Sequence, residues 1–129
     1  MRILVADDNQ WVRRGVIGLL APVSHAEVCG EAEDGDGAIR KAAELSPDLI
    51  LLDVSMPGLN GLEVARLLRD KVPGVRILIM SQHDPTVLLP RAIAAGAQGC
   101  IDKSRLTTEL LPAIAKVMQS LNNQNGSPR

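Results

Sequence analysis

The stretch 48-DLILLDVSMPG-58 decides the fold of this chain. Four consecutive aliphatic residues, 49–52, lead directly into Asp53, and the chain then turns at 56-MPG-58. A short, near-continuous apolar run bounded by turn residues is typical of a strand that is covered on both faces, as in a parallel sheet. A charge at the end of a buried strand is costly unless it meets partners. Asp53 therefore raises the question of which groups it meets there.

Four other apolar runs accompany this one. Together they predict strands at 3–6, 26–30, 49–52, 75–80 and 99–101. Apolar residues at helical spacing lie between the runs and after the last one, where the face comprises Leu110, Ile114, Val117, Met118 and Leu121. Asn60 is predicted to cap the third helix. Because strand and helix alternate five times, we expect an α/β fold wound on a parallel sheet with right-handed crossovers.

Length and composition limit the class of protein. The chain has 129 residues, which suits a single domain, and its net charge of −1 gives no general signal for nucleic-acid binding. No apolar run approaches the length of a membrane span. Cys29 and Cys100 provide neither a disulfide framework nor a zinc spacing, which favours a reducing cytoplasm. We predict one domain over residues 1–121, followed at 122–129 (NNQNGSPR) by a polar tail or the start of a linker.

Polar and charged residues follow several of the predicted strands. Asp7 and Asp8 come after the first strand, Asp53 after the third, Ser81 after the fourth and Lys103 after the fifth. The carboxyl ends of parallel strands share one edge, where open α/β folds bind ligands, so these groups are expected to converge. Clustered carboxylates repel and raise one another's pKa unless a cation joins them, and an all-oxygen ligand set suits magnesium. A carboxylate nucleophile beside magnesium, a lysine and a hydroxyl suits phosphoryl transfer.

With these residues in order, the chain resembles a receiver domain of a bacterial two-component response regulator. The resemblance rests on the Asp7-Asp8 pair, the LLDVSMPGLNG block around Asp53, Ser81, and Lys103 after GAQGCI, and it covers about residues 1–121. The phrases GLNGLE, AGAQG and ELLPAIAKV most resemble the subfamily whose receivers precede a helix-turn-helix DNA-binding domain. The implied fold is a five-stranded parallel sheet of flavodoxin-like order 2-1-3-4-5 with helices on both faces.

The resemblance implies roles in phosphoryl transfer. Asp53 would accept the phosphoryl group from a histidine kinase. Lys103 would pair with the Asp53 carboxylate and then with the phosphoryl group, and Ser81 would move toward the phosphoryl group and report its presence. Such a domain is a signalling phosphoacceptor that promotes its own phosphoryl transfer and hydrolysis, and not an enzyme acting on other substrates.

The resemblance also implies a magnesium site. Asp8 and Asp53 would bind the ion directly, Ser55 would contribute its backbone carbonyl, and Asp7 would act through a bound water. The opening question then has an answer, because the buried strand ends in a charge that serves as the nucleophile of the site.

The implied partners are a histidine kinase and an output, either a C-terminal DNA-binding domain or another protein. The resemblance allows a phosphorylation-dependent dimer and points to control of transcription. We expect no contact of this domain itself with nucleic acid or membrane.

Other interpretations compete with this one. A degenerate receiver that signals without phosphate is disfavoured by the intact acid, serine and lysine positions. An aspartyl-phosphate phosphatase of another α/β family would need a D-x-D pattern, and Ser55 stands two residues after Asp53. A dinucleotide-binding domain would show G-x-G-x-x-G after the first strand, and no such motif follows that strand here. Asp8 could also cap the first helix, and His83 is interpreted as a residue at the rim of the site.

Two positions depart from the family pattern. Cys100 stands where the family usually has a large aromatic residue, so the swing of a ring coupled to Ser81 is excluded. Pro90 lies within 85-PTVLLPRAIAAG-96 and removes an amide, which predicts a fourth helix that begins late, near Pro90, or kinks there, and is short or mobile. The family strand order also places Cys29 and Cys100 at opposite sheet edges, too far apart for a disulfide.

Overall fold

The computed structural model describes the backbone of residues 1–126 and the side chains of residues 1–120. Strands and helices alternate along the chain, with one short 3₁₀ turn, Lys103–Arg105, before the last helix. The strands are β1 (Arg2–Ala6), β2 (Glu27–Ala32), β3 (Leu49–Asp53), β4 (Arg76–Ser81) and β5 (Gly99–Asp102). The helices are α1 (Gln10–Leu20), α2 (Gly35–Leu45), α3 (Gly61–Lys71), α4 (Pro85–Ala94) and α5 (Leu106–Gly126).

The strands form one parallel sheet in the order β2-β1-β3-β4-β5, which confirms the predicted fold class and topology. All residues of the central strand β3 are buried. Successive side chains of a strand point to opposite faces. Ile50 and Leu52 accordingly pack in the core beneath α2, α3 and α4, while Leu49 and Leu51 pack in the core beneath α1 and α5. The burial of both faces explains why the sequence of β3 is continuously apolar.

Helices α1 to α4 begin at side-chain caps. Asn60 caps α3 as predicted, and Glu63 completes a capping box by accepting the Asn60 amide. The suggestion that Asp8 caps α1 is wrong, because Asn9 takes that position and accepts the amides of Trp11 and Val12. The exchange leaves the carboxylate of Asp8 available to the site described below.

The predicted late start of α4 is also wrong. The helix begins at Pro85, a first-turn position that needs no amide donor, and the Asp84 carboxylate caps it by accepting the Thr86 amide. Pro90 lies inside the helix, and both it and Thr86 are exposed, so water can solvate the Thr86 carbonyl that loses its amide partner. The mobility of this helix stays a prediction.

The C-terminal boundary of the domain and the two cysteines can also be compared with the predictions from the sequence. Helix α5 extends to Gly126, so residues 122–126 of the predicted tail are helical; residues 127–129 and the side chain of Leu121 lie outside the part described. The boundary at residue 121 stays a prediction. Cys29 and Cys100 are free thiols on the two edge strands, as the strand order implied. No helix within the described residues is long and apolar enough to cross a membrane.

The two prolines of α4 provide a matched test of its stability. Pro90→Ala is expected to raise the free energy of unfolding by about 2 kcal/mol, because it restores the amide that bonds to the Thr86 carbonyl and removes steric crowding. This figure allows for the larger conformational entropy of the unfolded chain without proline, which opposes the gain. Pro85→Ala is expected to leave stability unchanged or slightly lower, because proline suits the first turn. Urea unfolding measures both changes, and equal effects of the two substitutions would contradict this account of α4.

Candidate functional site

Three carboxylates meet at the carboxyl edge of the sheet. Ala6 of β1 pairs with Leu52 of β3, so the next residues, Asp7 and Asp53, lie side by side where these two strands end. Oxygen atoms of Asp7, Asp8 and Asp53 all lie within 4.8 Å of one another. Asp7 and Asp53 are buried, whereas Asp8 is exposed. The predicted acidic cluster therefore forms, with two members inside the protein and one at its surface.

Lys103 brings a positive charge to this cluster from the end of β5. Its Nζ lies 2.8 Å from Asp7 Oδ2 and 3.4 Å from Asp53 Oδ1, and its side chain is only 8% exposed. The 3₁₀ turn that Lys103 opens is capped by the Asp102 carboxylate, which accepts the Ser104 amide. The sequence predicts pairing of Lys103 with Asp53, and the structure places the ammonium closer to Asp7.

Burial and charge shift the pKa values of the central pair. Burial raises the pKa of Asp53 above its ordinary 3.8, the neighbouring charge of Asp7 raises it further, and the Ser55 amide and Lys103 oppose the rise. Burial alone would lower the pKa of Lys103, but its hydrogen bond to Asp7 and the charges of Asp53 and Asp7 outweigh burial and raise it above 10.5. Lys103 is therefore a permanent cation at neutral pH.

Backbone amides orient two of the carboxylates. The Ser55 amide donates to Asp53 Oδ1 at 3.1 Å, and the Asn9 amide donates to Asp7 Oδ1 at 2.9 Å. Ser55 itself lies in the exposed loop after β3, where its carbonyl is predicted to serve the metal. Asp8 makes no hydrogen bond or ion pair among the residues described.

Ser81 occupies the predicted place at the end of β4 and is fully buried. Its Oγ accepts the His83 amide at 3.0 Å, which ties the hydroxyl to the loop before α4. Ser81, Ser55, Val54 and exposed His83 line a cleft of about 410 Å³ together with residues of α4. His83 thus lies at the rim of this cleft, as the sequence suggested.

Gly61 is a site residue that the sequence reasoning missed. A Cβ atom at this position would lie 2.5 Å from the Asp53 carbonyl oxygen and 2.7 Å from Val54 Cα, distances that no real side chain tolerates. The Gly61 amide instead donates to the Val54 carbonyl at 2.9 Å. Only glycine lets α3 begin directly against the end of β3. The signal in the sequence was a glycine immediately after the predicted cap Asn60.

Residues 3–115 match the family described as the response regulator receiver domain. This chain is a response regulator receiver domain. The sequence is 36% identical over 117 residues to the response regulator GacA of Pseudomonas viridiflava. The aligned residues cover 91% of this chain and 55% of the relative. It is 35% identical over 114 residues to the probable transcriptional regulatory protein NarL of Mycobacterium tuberculosis. Here the aligned residues cover 88% of this chain and 53% of the relative. The receiver therefore spans about half the length of these relatives.

Solved receiver structures agree with the fold. The signal receiver domain of the response regulator NarL from Mycobacterium tuberculosis superimposes with a TM-score of 0.82 at 35% identity, covering 89% of this chain and 93% of that one. A LuxR-family two-component response regulator from Aurantimonas gives a TM-score of 0.87 at 34% identity, covering 92% of this chain and 85% of that one. The predicted similarity to receivers of transcriptional regulators is thereby confirmed.

The burial of Asp53 predicts a stability gain on its neutralisation. Asp53→Asn is expected to raise the free energy of unfolding at neutral pH, because burial and the charge of Asp7 disfavour the ionised carboxylate in the folded state. The folded pKa is raised, so the ionised carboxylate destabilises the fold above that pKa. The gain should therefore vanish as the pH falls toward the ordinary value of 3.8.

Denaturant unfolding of both proteins across this pH range measures the gain. The matched control is Asp8→Asn, which removes an exposed charge from the same cluster and should stabilise less. A loss of stability in Asp53→Asn at neutral pH would show that the Asp53 carboxylate is a net stabilising partner of Lys103.

Proposed function

We propose that this receiver is a phosphorylation-controlled switch in which Asp53 is the phosphoacceptor. One observation carries the proposal: a carboxylate only 2% exposed lies 3.4 Å from a buried ammonium and within 4.8 Å of two further carboxylates. Structural burial alone gives no reason to gather these charges at one edge. Phosphoryl transfer does, because its catalysis depends on positioning and on neutralising charge.

The atoms of Asp53 support a nucleophilic role. Oδ1 accepts the Ser55 amide and faces Lys103 Nζ, while Oδ2 makes no hydrogen bond within the described part of the chain. Oδ2 is thus the oxygen available to attack the phosphorus of a phosphohistidine. The O–P bond forms, the P–N bond breaks, and the imidazole leaves with a proton. Attack of water on the same phosphorus later releases inorganic phosphate and restores the carboxylate.

The donor set fits a divalent cation. Three carboxylates and one ammonium have a combined formal charge of −2, which a divalent ion would balance. Every candidate donor is an oxygen, as magnesium prefers. Asp8, whose carboxylate has no partner among the described residues, and Asp53 would bind the ion directly with the Ser55 carbonyl. Both oxygens of Asp7 already face protein donors, Asn9 and Lys103, so Asp7 would act through a water.

When bound, magnesium would neutralise negative charge on the phosphoryl oxygens. Lys103 would supply a second positive charge from the end of β5, first beside the Asp53 carboxylate and then beside the phosphoryl group. Because its pKa is raised, Lys103 provides this charge across the whole neutral range. Together, Lys103 and a bound magnesium ion would let a buried carboxylate carry a dianionic group.

The response would begin at Ser81. No acceptor takes its hydroxyl proton within the described part of the chain, so Ser81 could donate to a phosphoryl oxygen, and motion of Ser81 would pull the loop through the His83 amide. Cys100 offers no aromatic ring to follow that motion, so we infer that the backbone of the loop and of α4 carries the signal. The adjoining cleft accommodates such a displacement.

The partners follow from this role. A histidine kinase would supply the phosphoryl group, and the output would be a C-terminal DNA-binding domain or another protein that controls transcription. The proposal draws support from relatives about twice as long as the matched region, which include transcriptional regulators. A phosphorylation-dependent dimer is consistent with the proposal. We also propose that the domain acts in the cytoplasm and promotes hydrolysis of its own phosphoryl group.

Phosphorylation by acetyl phosphate tests the assignment. With magnesium present, intact-mass analysis is expected to show one added phosphoryl group on the unmodified chain and none on Asp53→Asn. Chelation of the metal should abolish the labelling. Asp102→Asn is the matched control, because Asp102 also ends a strand at this edge of the sheet. It should label normally, whereas undiminished labelling of Asp53→Asn would refute Asp53 as the acceptor.

A further inference from the structure

Arg13 links the first helix to the ends of two strands. It lies in the first turns of α1, and its side chain is only 14% exposed. Nη1 donates to the Asp7 carbonyl at 2.6 Å, and Nε donates to Glu31 Oε1, near the end of β2, at 2.9 Å. One guanidinium therefore joins α1, the residue after β1, and β2. Its planar fork suits such simultaneous contacts, which a lysine cannot reproduce.

The segment that Arg13 holds carries two of the acidic residues. The Asp7 amide donates to the Ala32 carbonyl at 3.0 Å, so both backbone groups of Asp7 are tied to protein partners. Asp8 follows immediately, and no side-chain contact holds its carboxylate in the described part of the chain. The direction of the Asp8 carboxylate consequently depends on the backbone that Arg13 fixes.

We propose that Arg13 is a positioning residue for the magnesium site, holding the Asp7 carbonyl so that Asp8 faces Asp53. Arg13 touches neither the ion nor the transferred group in this assignment. The inference rests on the metal site argued under Proposed function. It adds a residue outside the acidic cluster on which the affinity of that site depends.

The sign of the effect separates positioning from electrostatics. Arg13 is a cation close to a cation site, so its removal should strengthen magnesium binding on charge alone. Positioning predicts the opposite, because a displaced supporting contact typically weakens metal affinity by about tenfold or more. Arg14 provides the matched control, since it is the next residue, carries the same charge, is exposed, and stacks 5.3 Å above the Trp11 ring.

The experiment is a magnesium titration followed by backbone amide NMR shifts near Asp53. Trp11 fluorescence is unsuitable, because the control changes the residue stacked on that ring. Arg13→Gln is expected to bind magnesium roughly tenfold more weakly than the unmodified chain. Arg14→Gln should change the affinity by less than about twofold, because exposed charges are screened. Arg13→Lys should recover only part of the loss, since it keeps the charge without the fork.

Each result has a distinct meaning. Affinity of Arg13→Gln equal to or tighter than that of Arg14→Gln, in a variant whose amide spectrum remains that of the folded domain, would overturn the positioning role. If Arg13→Gln does not fold, Arg13→Lys decides, because it keeps the charge without the planar fork and should weaken binding less than tenfold but measurably. Unchanged affinity in Arg13→Lys would then overturn the proposal. Failure of the unmodified chain to bind magnesium would instead overturn the metal site itself.

Discussion

The contact of the Lys103 ammonium with Asp7 and Asp53 is the interaction on which the rest of the structure depends. Two buried carboxylates lie side by side at the ends of β1 and β3, an arrangement that desolvation and mutual repulsion both oppose. Lys103 at 2.8 Å and 3.4 Å offsets part of that cost from the end of β5. The negative charge that remains is the charge that we propose a divalent cation balances at this edge of the sheet.

The fold serves this contact by bringing distant strand ends together. Parallel pairing places the ends of β1, β3 and β5 on one edge, and the aliphatic core on both faces keeps the central strand fixed. Local backbone features then refine the geometry. Gly61 lets α3 begin against the end of β3, and the Ser55 amide orients the Asp53 carboxylate. A site built on strand ends is held more rigidly than one built on loops alone.

Much of the fold and the site could be predicted from the sequence, because both follow from strong local signals. Continuous aliphatic runs identified the strands, and the shared edge of a parallel sheet brought Asp7, Asp8, Asp53 and Lys103 together. The errors came from competition between neighbouring signals. Pro90 favoured a late start or a kink of α4, but Asp84 as the cap and Pro85 in the first turn form a stronger start signal. The helix tolerates Pro90 because Pro90 and Thr86 are exposed, so water can solvate the Thr86 carbonyl.

The contacts that the sequence could not supply are tertiary. Nothing in the order of residues indicates that Lys103 lies nearer to Asp7 than to Asp53, or that Arg13 reaches the Asp7 carbonyl. Asn9 replaced Asp8 as the cap of α1 because both residues suit that position, and only the backbone path distinguishes them. Such choices depend on distances of a few ångströms that appear only when all five strands are assembled.

The most direct test of the central contact is an NMR titration of the Asp53 carboxyl carbon in the unmodified chain and in Lys103→Met. This substitution keeps the length and apolar stem of the side chain and removes its charge. The account predicts a titration midpoint above 3.8 in the unmodified chain and a still higher one in the variant, because Lys103 favours the ionised carboxylate. A midpoint at or below 3.8, or one that Lys103→Met leaves unchanged, would contradict it.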